Sequence, residues 1–210
     1  MTQETERMPV VPVFGEIIHP EIAGLEKPLT NIASQIKDSG VTYDLIVCDD
    51  TSGRIPALAL RKILAFLSED QKNPDLVFIS KPTGLERFDC IVNNFSAKSR
   101  KVLIATEYSA HGNTVMKLHK TLRKRDYEAI DIAIVGCMID EESFKWVFSP
   151  DTVIYIGMNK LPWGIWNNEK ITGLNRYTFK PNKDAGHQIA RNDVNNLAMR
   201  VLANLQQFPA

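Results

Sequence analysis

Long apolar runs, paired cysteines and net charge are all missing from this chain of 210 residues, and each absence removes a class of function. No uninterrupted apolar stretch approaches the roughly 20 residues that a membrane span requires. The opening residues, Met1 to Val10, lack the apolar core of a signal peptide. A cytoplasmic protein without a membrane partner is expected. The three cysteines, Cys48, Cys90 and Cys137, are odd in number and far apart. That usage suits buried thiols in a reducing compartment rather than a disulfide framework or a zinc site. Basic and acidic residues balance at 25 each, so bulk electrostatics offers nothing to a nucleic acid or another large polyanion. Catalytic fingerprints are scarce too. No Gly-x-Gly-x-x-Gly follows the first strand-like run and no Walker loop occurs. The histidines lack metal-ligand spacing, and no Gly-x-Ser-x-Gly elbow accompanies them. Internal repeats and low-complexity tracts are also lacking.

What the chain does contain is an alternation of two periods. Val10 to Ile18 is strand-like but broken by Pro12, which predicts an edge or appended strand, a flap over the sheet. Pro28 to Lys37 places Leu29, Ile32, Ala33 and Ile36 at helical spacing, with Gly40 positioned to end the helix. Tyr43 to Cys48 reads as a strand buried on both faces, and Ala57 to Leu67 as a largely covered helix with Pro56 in its first turn. Leu76 to Ser80 is a short buried strand. Leu85 to Arg100, with Arg87, Asn93, Asn94 and Lys98, shows no period and reads as a long loop or irregular hairpin. Val102 to Ala105, Ala129 to Cys137 and Thr152 to Gly157 are further strands, Asp140 to Trp146 is a short helix, and a last helix spans about Asp193 to Leu205. Strands alternating with helices through short connections predict a mostly parallel sheet flanked by helices. Its ligands would lie beyond the carboxyl ends of the strands. One domain is expected, with a core over about 41–158 and with 1–40 and 159–210 as flap or cap additions.

Two polar stretches fall at that edge. The first is Asp49-Asp50-Thr51-Ser52-Gly53-Arg54. The second follows Val102 to Ala105, where Thr106-Glu107 opens a short loop that closes on Gly112-Asn113-Thr114 before a helix. Unpaired N–H groups at a helix start, the helix dipole and a glycine that admits close approach together favour a phosphate-sized anion. On that helix Val115, Leu118 and Leu122 share one face while Lys117, Lys120 and Lys124 share the other. A solvated face explains the lysines better than RNA contact does.

The stretch VLIATEYSAHGNT, Val102 to Thr114, resembles the signature of type I phosphoribosyltransferases: a hydrophobic strand, two adjacent acids, and a loop of small residues closing on Thr-Gly-x-Thr. The resemblance extends over about Tyr43 to Gly157 in the order of elements. It implies a Rossmann-like α/β domain that binds phosphoribosyl pyrophosphate (PRPP) and transfers the phosphoribosyl group to or from a nitrogenous base or other small acceptor, with release of pyrophosphate. Glu107 matches the second acid on the ribose hydroxyls, with Thr106 where the first acid is usual. Ala110, His111, Gly112, Asn113 and Thr114 match the 5′-phosphate loop. Asp50, Thr51, Ser52, Gly53 and Arg54 match the pyrophosphate loop, with Lys81 as a further contact. Glu107 and Arg54 are therefore the expected catalytic residues, and Trp163 and Trp166 fall where the acceptor base is often contacted, so that an indole would stack on it. Magnesium is implied, carried mainly by the ligand, with no metal site built from the protein alone. The expected partner is a phosphoribosyl ligand, PRPP or a nucleotide monophosphate; a homodimer is left open.

Thr106 removes a charge-strength hydrogen bond to a ribose hydroxyl, worth about 1.5 to 3 kcal/mol. This motivates an alternative: a catalytically silent regulatory or sensor protein of the same fold. His111 replaces a small hydroxyl residue. Ala110 replaces the base-proton acceptor of purine-salvage members, which argues against that subfamily. Asp49-Asp50 are adjacent, whereas a haloacid-dehalogenase-like phosphatase needs its two acids one residue apart.

Overall fold

The computed structural model describes residues 15–49, 53–79, 100–109, 113–125, 127, 129–137, 148, 150–159 and 183–207. Five strands run in parallel: β1 (Leu45–Asp49), β2 (Asp75–Ile79), β3 (Lys101–Ser109), β4 (Ala129–Cys137) and β5 (Ile154–Met158). They lie in the order β2-β1-β3-β4-β5. Among the described residues the helices are α1 (Pro20–Ala23), α2 (Glu26–Ser39), α3 (Arg54–Leu67), α4 (Asn113–Arg123) and α5 (Lys183–Gln207). The expected parallel sheet with flanking helices is present.

Side-chain alternation along the strands divides the core in two. On one face, Ile46 and Cys48 of β1, Leu103 and Ala105 of β3, and Ala133 and Val135 of β4 pack beneath α2, α3 and α5. On the other, Val47, Ile104, Ile132 and Ile134 meet Val115, Leu118 and Leu122 of α4. The run Val102 to Ala105 is fully covered because both faces carry helices. Lys117, Lys120 and Lys124 are exposed, as their spacing predicted. Cys48 and Cys137 are buried, and the Cys48 thiol donates to the Val77 carbonyl; Cys90 lies outside the described residues.

Several elements differ from expectation for physical reasons. β3 does not end at Ala105 but continues through Thr106 and Glu107 to Ser109, because β4 is equally long and pairs with it at Thr106↔Ile134, Tyr108↔Gly136 and Ser109↔Cys137. Gly15 to His19, the described end of the predicted appended strand, is irregular. Its backbone is held by side chains of α5 instead: Asn196 donates to the Glu16 carbonyl and Arg200 to that of Gly15, while Asp193 accepts from the Ile18 and His19 amides. α5 itself begins ten residues before the predicted start at Asp193, at Lys183. Arg100, read as part of the long loop, lies at the amino edge of the sheet, where it pairs with Asp75 and donates to the Asp44 carbonyl. The predicted helix at Asp140 to Trp146 lies outside the described residues.

Gly40 ends α2 in the left-handed conformation, φ 65°, which relieves the last turn without strain in a residue lacking Cβ. Among the described residues no helix is long and apolar enough to cross a membrane. A buried polar network also pins the lower part of the sheet. The Tyr43 hydroxyl donates to Asp131 at 2.7 Å and lies 2.9 Å from the Tyr155 hydroxyl. Asp131 also accepts the Val153 amide at 2.8 Å. Burial, followed by the bonds to Tyr155 and Asp131, raises the Tyr43 pKa far above its ordinary value, so it stays a neutral donor.

Candidate functional site at the carboxyl edge

The chain leaves β1 and enters α3 on one face of the sheet; it leaves the neighbouring strand β3 and enters α4 on the opposite face. Adjacent strands whose connections depart to opposite sides leave a crevice between their carboxyl ends, and that is where open α/β sheets take ligands. The two polar stretches read from the sequence are those that follow β1 and β3. The described residues of both therefore lie at the same edge of the sheet.

At the end of β1, Gly53 is buried and caps α3 through its backbone: its carbonyl accepts the Ala57 amide at 2.9 Å. Pro56 falls in the first turn, where its missing N–H has no intrahelical partner to lose. That turn holds no acidic residue and no side-chain cap, so the positive end of the helix dipole is not offset within it. Arg54, the first residue of α3, adds a formal charge there. Its guanidinium carbon sits 4.9 Å from the centroid of the Phe78 ring, at the end of β2.

In the carboxyl half of β3, Thr106 and Glu107 point to opposite faces. Thr106 shares the α4 side with Val102 and Ile104 and is 6% exposed. Glu107 shares the α3 side with Leu103 and Ala105 and is half-buried. The register runs from Phe78 to Cys48 to Ala105, so two strand spacings, roughly 10 Å, separate the Arg54–Phe78 pair from the line of Glu107 on the same face. α4 starts at Asn113, which is exposed, followed by half-buried Thr114.

Of the predicted site residues, the structure thus brings Gly53, Arg54, Thr106, Glu107, Asn113 and Thr114 to the crevice rim. Asp50, Thr51, Ser52, Lys81, Ala110, His111, Gly112, Trp163 and Trp166 lie outside the described residues. Sequence reasoning missed Phe78. An aromatic next to the last residue of a buried strand was the available signal, and the run Leu76 to Ser80 was read only as core. Buried His119, half-way along α4, was missed as well: it lies 3.0 Å from the Thr152 hydroxyl and edge-on to Phe148. Burial, then Arg123, lowers its pKa, which fits a packing role.

A cavity of about 540 Å³ opens at the opposite, amino edge, lined by Lys37, Gly40, Asp44, Leu67, Ser68 and Asp70 among others. It receives the carbonyl ends of α2 and α3, whose partial negative charge disfavours a phosphate.

No protein-family model and no curated protein matches the chain. Solved structures similar to it include a hypothetical protein from Neisseria gonorrhoeae with bound ppGpp, 17% identical over 80% of this chain and 91% of that one, with a TM-score of 0.48. The purine phosphoribosyltransferase from Pyrococcus horikoshii is 17% identical over 55% of this chain and 73% of that one, TM-score 0.40. A hypoxanthine phosphoribosyltransferase from Staphylococcus aureus is 10% identical over 71% and 80%, TM-score 0.38. Likenesses this distant assign no activity. The functional case rests on the chain's own strand ends and helix starts.

Proposed function

We propose that the crevice binds PRPP or a related phosphoribosyl ligand and that the protein is a phosphoribosyltransferase acting on a nitrogenous base or small acceptor. The observation that carries this reading is the switch point: the strands ending in the two anion-suited stretches are neighbours, and their helices leave on opposite faces. In this reading Glu107 accepts hydrogen bonds from the ribose hydroxyls, and the stretch from Ala110 to Thr114 holds the 5′-phosphate at the start of α4. Asp50 to Arg54, with Lys81, holds the pyrophosphate. Catalysis would come from positioning, from offsetting charge on the leaving pyrophosphate, and from excluding water around the electron-poor ribose.

Magnesium fits as an ion carried by the ligand. The Glu107 carboxylate offers an oxygen donor of the kind a hard cation takes. Bound in that way, magnesium would neutralise pyrophosphate charge.

One observation favours a second reading, a sensor of the same fold without turnover. The residue before Glu107 is a neutral threonine turned toward α4 and 6% exposed, so positions 106 and 107 of β3 carry one carboxylate rather than two. Titration calorimetry with Mg-PRPP tests both. Submicromolar to micromolar binding that is lost in Glu107→Ala, with the fold still cooperative, is expected. Wild-type protein that binds neither PRPP nor any nucleotide monophosphate would overturn both readings. Binding without pyrophosphate release across a broad acceptor panel would select the sensor.

A further inference from the structure

We infer that the amino-edge cavity is a second ligand site, one that takes a small organic cation: an ammonium group carried on an apolar body. It lies at the opposite edge of the sheet from the phosphoribosyl crevice, and its chemistry is independent of that site.

The walls gather negative charge from three sources. α2 and α3 both bring their carboxyl-terminal turns to the cavity, through Lys37 and Gly40 for one and Leu67 and Ser68 for the other. Aligned peptide dipoles leave roughly half a negative charge at each such end, and the last turn of α3 holds no basic residue to offset it. Side chains add to this, since three acids, Asp44, Glu69 and Asp70, line the cavity against two lysines, Lys37 and Lys72. Asp44 is half-buried, and the Lys101 amide fixes one of its carboxylate oxygens at 3.0 Å. The Lys72 amide, donating to Asp70 at 3.1 Å, holds that carboxyl below its ordinary range. Behind the wall, the Tyr43 hydroxyl donates to buried Asp131, whose other oxygen accepts the Val153 amide. Both of those donors are neutral, so neither cancels the carboxylate charge.

The rest of the wall is apolar, formed by Ile36, Leu64, Leu67 and Pro74. An inorganic ion would leave these surfaces facing water. An ammonium on an apolar body covers them and sets its charge at the helix ends. The volume of about 540 Å³ lies within the range of about 300 to 1,000 Å³ typical of small-molecule sites.

The test is an amide NMR titration of the full chain with three probes that share one body and differ in charge: 2-phenylethylammonium, 2-phenylethanol and phenylacetate. The ammonium should shift amides within 36–44 and 67–73 with a Kd of roughly 1 mM. The alcohol should bind at least about fivefold more weakly and phenylacetate at least about tenfold more weakly. Asp44→Asn keeps an oxygen for the Lys101 amide; it should weaken the ammonium about threefold to fivefold and leave the alcohol unchanged. Should that variant fail to fold, Glu69→Gln at an exposed position gives the same comparison. Equal affinity for ammonium and alcohol, a loss in the variant that the alcohol shares, or shifts confined to the carboxyl edge near 53–57 and 113–117 overturns the assignment. So does the absence of any shift at about 10 mM ammonium.

Discussion

At the scale of single residues, stability of the terminal segments depends on one carboxylate. Asp193 of α5 is 1% exposed and accepts the Ile18 amide at 3.0 Å, the His19 amide at 2.9 Å and the His19 ring at 2.6 Å. Burial alone would raise its pKa, but these donors outweigh it and the net shift is downward. A carboxyl whose folded pKa is depressed stabilises the fold above its ordinary range, near pH 4, and that stabilisation is lost as pH falls through the folded value. Asp193→Asn should therefore cost about 2 kcal/mol at pH 7. The gap between variant and wild type should narrow below pH 4 in urea unfolding. A gap of equal size at pH 7 and pH 3.5 would show that the charge is not what matters. Residues of this kind were invisible to sequence reasoning. Asp193 was legible only as the start of a helix, and Asp131 only as a polar interruption of a strand, because their partners at Ile18, His19, Tyr43 and Val153 are brought to them by the fold.

Elements were more legible than their ends. The helical spacing of Leu29, Ile32, Ala33 and Ile36 and the apolar run Val102 to Ala105 state their own periods, since burial on one face or two imposes them. The continuation of β3 through Ser109 could not be read from Thr106 and Glu107. It depends on the length of β4, twenty residues away in the chain. Packing of α2 on β5 shows the same limit. Asn31 donates to the Gly157 carbonyl at 2.8 Å and Gln35 to that of Ile156 at 3.0 Å, so helix side chains satisfy the edge strand. That approach needs a glycine: a Cβ at Gly157 would lie 2.6 Å from the Val135 carbonyl oxygen and 2.7 Å from Cβ of Pro28. Both neighbours are anchored, one as backbone and one in a rigid ring, so α2 would have to move off the sheet. Gly157→Ala should cost about 2 to 3 kcal/mol and lower the melting temperature by roughly 5 to 10 °C. A melting temperature within a degree of wild type would show that α2 and β5 can separate freely.

For the molecule as a whole, what matters is that the site belongs to neither half of the sheet. The unit β1-α3-β2 supplies Gly53 and Arg54 on one face, and β3-α4-β4 supplies Thr106, Asn113 and Thr114 toward the other and Glu107 toward the α3 side. Either half alone presents an ordinary helix start, many of which bind nothing. A ligand with two phosphate-bearing ends joined by a sugar is the kind that engages both at once, because its effective concentration at the second half is set by the first contact. Binding should then slow amide hydrogen exchange in two separated places, the first turns of α3 near 53–57 and of α4 near 113–117. The amino-edge cavity around Lys37, Asp44 and Asp70 should be unaffected. Inorganic phosphate, which can satisfy only one helix start at a time, should protect one region or both weakly, and only at far higher concentration. Hydrogen exchange followed by mass spectrometry with Mg-PRPP distinguishes the cases. Protection confined to α4 would reduce the site to a lone phosphate cradle and remove Arg54 from it, whereas simultaneous protection at α3 and α4, at concentrations where inorganic phosphate protects neither, is the outcome expected of a ligand that spans the switch point.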